Sequence, residues 1–150
     1  MPDPPSGVVT FLFTDIEGST ALWDRCPDAM TEALAEHDRR IRSIVDARSG
    51  YVFTTAGDSF AVAFRSAADA LSAGFEIQMA MLDPAGDLTL RVRAGVHTGT
   101  ASHRDGDYFG ATVNRGARLA ASAHGGQFVV SQSTVDSVGG MLPDDAELCD

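Results

Sequence analysis

An apolar run, Val8-Val-Thr-Phe-Leu-Phe13, ends abruptly at Thr14-Asp15 and passes through Ile16-Glu17 into Gly18-Ser19-Thr20, a turn of small, donor-rich residues. The run reads as a buried strand that delivers the Asp15 carboxylate to its tip. Gly18-Ser19-Thr20 before Ala21-Leu22-Trp23 predicts a helix start, with Ser19 or Thr20 as N-cap. Backbone N–H groups at such a start attract phosphate, so one short segment offers both an oxygen ligand for a hard cation and a cradle for an anion. Taken alone, Asp15 and Ser19 serve equally well as caps at a strand–helix corner.

The rest of the chain supplies a context. Residues 1–7, rich in proline, read as a flexible lead-in, and the strand covers Val8 to Thr14. The spacing of Met30, Leu34, His37, Ile41, Ile44 and Val45 predicts a helix from Pro27-Asp28 to about Arg48, with His37 at the edge of its packed face. Tyr51–Thr55 and Ser59–Phe64 read as two strands joined by a tight turn at Ala56-Gly57-Asp58, which places Asp58 at a hairpin tip. An alanine-rich helix from Ser66 to about Leu82 follows, then a strand from Leu88 to His97, then a polar turn region from Thr98 to Gly106. Ala111–Ala123 is helical and carries Asn114 and Arg118 on one side, at i and i+4. Gln127–Ser131 is a further strand and Gln132–Val138 a short helix, while the acidic stretch from Met141 to Asp150 has no assignable structure.

This order mixes a hairpin with crossover helices, the signature of an α+β sandwich of ferredoxin-like type, with a central, mostly antiparallel sheet and flanking helices. Asp15 and Asp58 then lie at neighbouring tips, where two carboxylates repel unless a cation stands between them. With 150 residues, 44% of them hydrophobic, the chain has the content of one domain, enough to bury roughly 70% of its unfolded surface. A formal net charge of −10 argues against nonspecific adhesion to nucleic acid or acidic membrane, yet leaves room for a nucleotide whose charge a divalent cation offsets. No apolar run is long enough to span a bilayer, and Cys26 and Cys149 lack metal-ligand spacing, which suits reduced thiols; a cytoplasmic protein is expected.

Four blocks now fall in order: Phe13-Thr-Asp15-Ile-Glu-Gly-Ser-Thr20, Gly57-Asp58-Ser-Phe60, Arg93-Ala-Gly-Val-His97-Thr-Gly99 and Asp107-Tyr-Phe-Gly110-Ala-Thr-Val-Asn114-Arg-Gly-Ala-Arg118. Together they resemble the class III adenylyl/guanylyl cyclase catalytic domain, from about Val8 to Val138, and especially its actinobacterial members that stand at the front of larger transcriptional regulators. The resemblance implies that residues 8–150 are such a domain without its last strands. It implies that Asp15, Asp58 and the Ile16 carbonyl bind two Mg2+ or Mn2+ ions per site, and that the loop Glu17, Gly18, Ser19 and Thr20 holds the triphosphate. Asn114 would orient the ribose, Arg118 would face the phosphate where charge develops, and Thr54 and Asp107 would read the purine edge. The active sites would lie at the interface of a homodimer, converting ATP, or GTP, to cyclic nucleotide and pyrophosphate.

Thr54 departs from the pattern, because cyclases that prefer ATP carry lysine there; a hydroxyl donates or accepts, whereas lysine only donates. A catalytically weak cyclase-homology module that regulates an attached domain is the rival expectation. A palm enzyme making cyclic dinucleotides shares the two-metal logic, but its Gly-Gly-Asp/Glu-Glu-Phe hairpin is absent.

Overall fold

The computed structural model describes residues 3–149. In chain order the elements are β1 (Gly7–Ile16), α1 (Ser19–Arg25), α2 (Pro27–Ala47), β2 (Tyr51–Ala56), β3 (Ser59–Phe64), α3 (Ala67–Ala80), β4 (Val92–Arg104), β5 (Asp107–Phe109), α4 (Ala111–Ala121), β6 (Phe128–Val130) and α5 (Gln132–Ser137). They form an α+β sandwich around one six-stranded sheet of order β2-β3-β1-β4-β5, with β6 also on β4. All pairings are antiparallel except that of β4 with β6.

The two-residue period of β1 divides the molecule. Leu12 and Ile16 enter the larger core with Met30, Ile41 and Val45 of α2, Leu71 and Ile77 of α3, and Phe60, Val62 and Phe64 of β3. Val9, Phe11 and Phe13 face the other way, into a cluster with Tyr51, Phe53, Ala63 and Tyr108. Phe11, Phe53 and Tyr108 meet there edge-on, with ring centroids 4.9–5.7 Å apart. Over β4 this second face is covered by α4, and the closeness depends on missing side chains. A Cβ on Gly95 would lie 2.6 Å from the Ala120 backbone nitrogen, and one on Gly116 would lie 2.7 Å from the Phe13 ring.

Several expectations change. Thr98 to Arg104 is the second half of β4 rather than a turn region, because Thr98, Gly99, Thr100 and Ala101 pair with the start of β1; the turn is confined to Asp105-Gly106. The strand also begins later than Leu88, which instead forms an isolated bridge with Ala85. His37 is completely buried rather than at a packed edge: its Nδ1 bonds Asp38 Oδ1 at 2.8 Å and its ring tilts against Phe60 at 6.0 Å. The lead-in is held rather than loose over its described part, since Pro5 is buried and its carbonyl accepts the Tyr108 hydroxyl at 2.6 Å. Residues 1 and 2 of that lead-in, and Asp150 of the acidic end, lie outside the described residues. Leu142, in the unassigned carboxyl-terminal stretch, packs on the larger core. Among the described residues no helix is long and apolar enough to cross a membrane.

Candidate active site

The register of β1 against β4 builds the centre of the site. Asp15 and Arg93 are direct cross-strand partners on the α4 face, and the guanidinium closes on the carboxylate with Nε–Oδ1 2.7 Å and Nη2–Oδ2 2.6 Å. From the other side β3 runs antiparallel to β1, with Phe60 opposite Thr14, so the β2–β3 turn arrives beside the end of β1. Gly57 takes the left-handed φ of 59° that this tight turn requires, and Asp58 Oδ2 then accepts the Ile16 backbone N–H at 2.6 Å. Asp15 and Asp58 therefore do meet at one corner, as their strand tips suggest. Their counter-charge is a residue the motif reading did not single out for this role: the Arg93 guanidinium is held above its usual range, first by the hydrogen bonds to Asp15 and then by the charges of Asp15, Glu17 and Asp58. The signal was present in the sequence, since Arg91, Arg93 and Gly95 alternate with apolar residues along one strand face.

The loop after Asp15 departs from expectation in two ways. Gly18, not Ser19 or Thr20, occupies the N-cap of α1, with φ 68° and no side-chain cap; Ser19 is already helical. A left-handed cap position suits glycine and is strained for serine. Glu17 is also turned away from any anion cradle. Its N–H donates to the Arg91 carbonyl at 2.8 Å, and its carboxylate lies 3.8 Å from Arg91 Nε. Arg91 in turn donates to the Gly125 carbonyl at 3.1 Å, and a Cβ on Gly125 would lie 2.7 Å from the Arg91 Cβ as well as against the Glu17 carboxylate. With the Glu17 N–H paired, Gly18, Ser19 and Thr20 supply the first amides of the helix, which have no partner within it.

Asn114 and Arg118 lie on the exposed side of α4, opposite the buried Gly116 and Ala120. Among the described residues neither side chain has a hydrogen-bond or ion-pair partner, and neither is joined to Asp15 or Asp58. Thr54 is exposed and, with Thr14, Asp15, Ser59 and Ala117, lines a shallow pocket of about 220 Å³; the β2–β3 register shifts between Val52 and Thr54. Asp107 begins β5, where its Oδ1 accepts the Tyr108 N–H at 2.8 Å. Thr54 and Asp107 are each next in sequence to one ring of the Phe53–Tyr108 contact, so the fold brings these two positions into one neighbourhood.

The donor set suits a hard cation in its chemistry: oxygen ligands only, two carboxylates on adjoining tips, and a local excess of negative charge that already draws a guanidinium. Groups of three or more His, Cys, Asp or Glu side chains that would hold a metal by themselves are absent among the described residues, so backbone oxygen must complete such a site.

Residues 1–142 match the family described as the adenylate and guanylate cyclase catalytic domain. An uncharacterized protein of Mycobacterium tuberculosis is 44% identical over 149 residues, covering 98% of this chain and 50% of its own length. Receptor-type adenylate cyclase B of Leishmania donovani is 37% identical over 169 residues, covering 83% of this chain and 13% of its own. The chain therefore spans half the length, or less, of these curated relatives. Among solved structures, a Trypanosoma brucei adenylate cyclase in its monomeric state superposes with a TM-score of 0.83 at 31% identity, covering 96% of this chain and 78% of that one.

Proposed function

The chain belongs to the adenylate and guanylate cyclase catalytic-domain family, and from that premise we propose that it is a nucleotidyl cyclase, converting ATP to 3′,5′-cyclic AMP and pyrophosphate at the interface of a homodimer in cytoplasmic signalling. The observation that carries this reading is that Asp58, in the β2–β3 turn, accepts the Ile16 backbone N–H directly after Asp15 at the end of β1. Asp15, Asp58 and the Ile16 carbonyl would hold two Mg2+ or Mn2+ ions, and these would supply Lewis-acid activation of the ribose 3′ hydroxyl and neutralise the leaving pyrophosphate.

The chain's own residues do the rest. Gly18, Ser19 and Thr20 present backbone amides to the triphosphate. Arg118 gives a forked hydrogen bond to the phosphate on which charge develops, a geometry lysine cannot match, while the Asn114 amide orients the ribose. Both are exposed on α4 and neither is bonded to Asp15 or Asp58 of its own chain, which supports their acting on a nucleotide held by a second copy. The reaction is an intramolecular displacement at the α-phosphorus, so it needs positioning and charge stabilisation and no covalent intermediate. Thr54 and Asp107 read the purine: the carboxylate accepts from an exocyclic amine, and the hydroxyl serves either polarity, which leaves GTP as the competing substrate.

A second reading, a cyclase-homology module that regulates an attached domain, is favoured by one observation. All eleven cationic side chains are arginines, so no lysine anywhere in the chain can read adenine. One assay separates the two: purified chain at high concentration with Mn2+ and ATP or GTP, following cyclic nucleotide and pyrophosphate together, with Asp58→Ala as control. Cyclic nucleotide from the parent and none from the control supports the enzyme. Silence from a dimer that binds nucleotide supports the module.

A further inference from the structure

Both oxygens of Asp15 are engaged by one side chain. Arg93 bonds each of them, at 2.7 and 2.6 Å, and the two side chains are only 30% and 29% exposed. The neighbouring carboxylates have other arrangements: Glu17 lies against Arg91, and Asp58 holds the Ile16 N–H. A cross-strand pair in register positions its groups without further ordering of the backbone, so the fork is ready-made in the folded chain. The fork takes one lone pair on each oxygen and holds the carboxylate's orientation, so a metal that takes those same lone pairs has to displace the guanidinium. Once a divalent cation is bound, a guanidinium at hydrogen-bond distance from the same carboxylate is repelled by it.

Resting on the reading of Asp15 as a metal ligand, we propose that Arg93 is a resident competitor for the metal: it holds Asp15 in the metal-free chain, sets the cation concentration at which the site loads, and is expelled as the cation enters. Metal loading and release of one guanidinium are then a single event. A fork that stays closed on cation binding makes a different prediction: Arg93→Lys, which keeps the charge, would then bind the cation no tighter than the parent.

The test needs no nucleotide and no turnover. Mn2+ alone is titrated into the purified chain and into Arg93→Gln, Arg93→Lys, Asp15→Asn and the Asp15→Asn/Arg93→Gln double variant, and free Mn2+ is followed by its paramagnetic resonance signal. Thermal unfolding establishes first that each variant is folded. Arg93→Gln binds Mn2+ tighter than the parent by roughly fivefold, the ratio set by a part-exposed charged fork. Arg93→Lys, which keeps the charge but cannot close two parallel bonds, falls between them and carries the test if the glutamine variant does not fold. The gain disappears in the double variant. Unchanged or weaker affinity in the Arg93 variants, or a gain that survives Asp15→Asn, overturns the competitor while leaving the metal site standing. Absence of Mn2+ binding by every protein removes the metal reading and the competitor together.

Discussion

Asp58 has two tasks that a single substitution cannot separate but a pair can. Its Oδ2 satisfies the Ile16 N–H at 2.6 Å, and its charge belongs to the proposed cation site. Asp58→Ala leaves a part-buried amide without a partner and costs about 1–3 kcal/mol, whereas Asp58→Asn keeps an acceptor there and costs well under half of that. Urea denaturation measures the difference, and both variants lose cyclase activity; equal destabilisation would show that the amide does not depend on Asp58. Tyr108 gives a pH signature. Burial foremost, with the neighbouring Tyr51, pushes its hydroxyl up to about 12, and it donates to the Pro5 carbonyl. The folded chain therefore keeps the proton where the unfolded chain loses it. The corresponding stability is present below pH 10 and is lost as pH rises from about 10 to about 12, by roughly 2–3 kcal/mol. Tyr108→Phe flattens that alkaline limb in a denaturation series; a limb of unchanged steepness would place its origin elsewhere.

At the level of elements, the pairing of α4 with β4 decides where Asn114 and Arg118 point. The helix approaches so closely because Gly95, Gly99 and Gly116 have no side chains, but the three contacts differ in kind. A Cβ on Gly95 meets Ala120 backbone atoms at 2.6 and 2.7 Å, whereas one on Gly99 meets the Thr112 side chain at 2.7 Å, which can turn aside at the cost of its hydrogen bond to the Thr100 carbonyl. Gly95→Ala is thus expected to cost about 2 kcal/mol or more and Gly99→Ala about half as much, read by thermal unfolding. Gly95→Ala also lowers turnover beyond what its lost stability explains, because the helix carrying Arg118 must move. An equal cost at both positions would mean that α4 adjusts freely against the sheet.

At the scale of the molecule, the proposed machinery is divided between elements that no hydrogen bond or ion pair joins among the described residues. Asp15 and Asp58 meet at a strand corner, while Asn114 and Arg118 lie exposed on α4. Two inactive variants, Asp15→Ala and Arg118→Ala, should therefore restore one composite site per heterodimer when mixed, giving up to about a quarter of parental activity at equal concentrations from random pairing. Recovery no greater than that of either variant alone would mean that each chain completes its own site.

Local chemistry alone determined much of this protein. Hydrophobic periodicity marked the helices and the hairpin, since a 3.6- or 2-residue repeat is a property of neighbours in sequence. The pairs Asp15 with Asp58 and Asn114 with Arg118 could likewise be read from strand tips and helix spacing. What the tertiary structure decided were the matters of register and depth. Thr98–Arg104 looks like a turn because it is polar and contains glycine, yet it is a strand because β1 supplies its hydrogen bonds. His37 looked peripheral because its position in the helix repeat gives an angle and not a depth; Phe60 and the sheet behind it supply the depth. Arg93 lies 78 residues from Asp15, and only the antiparallel register places their charges opposite one another, so the alternation that marks Arg93 in the sequence names its strand face but not its partner.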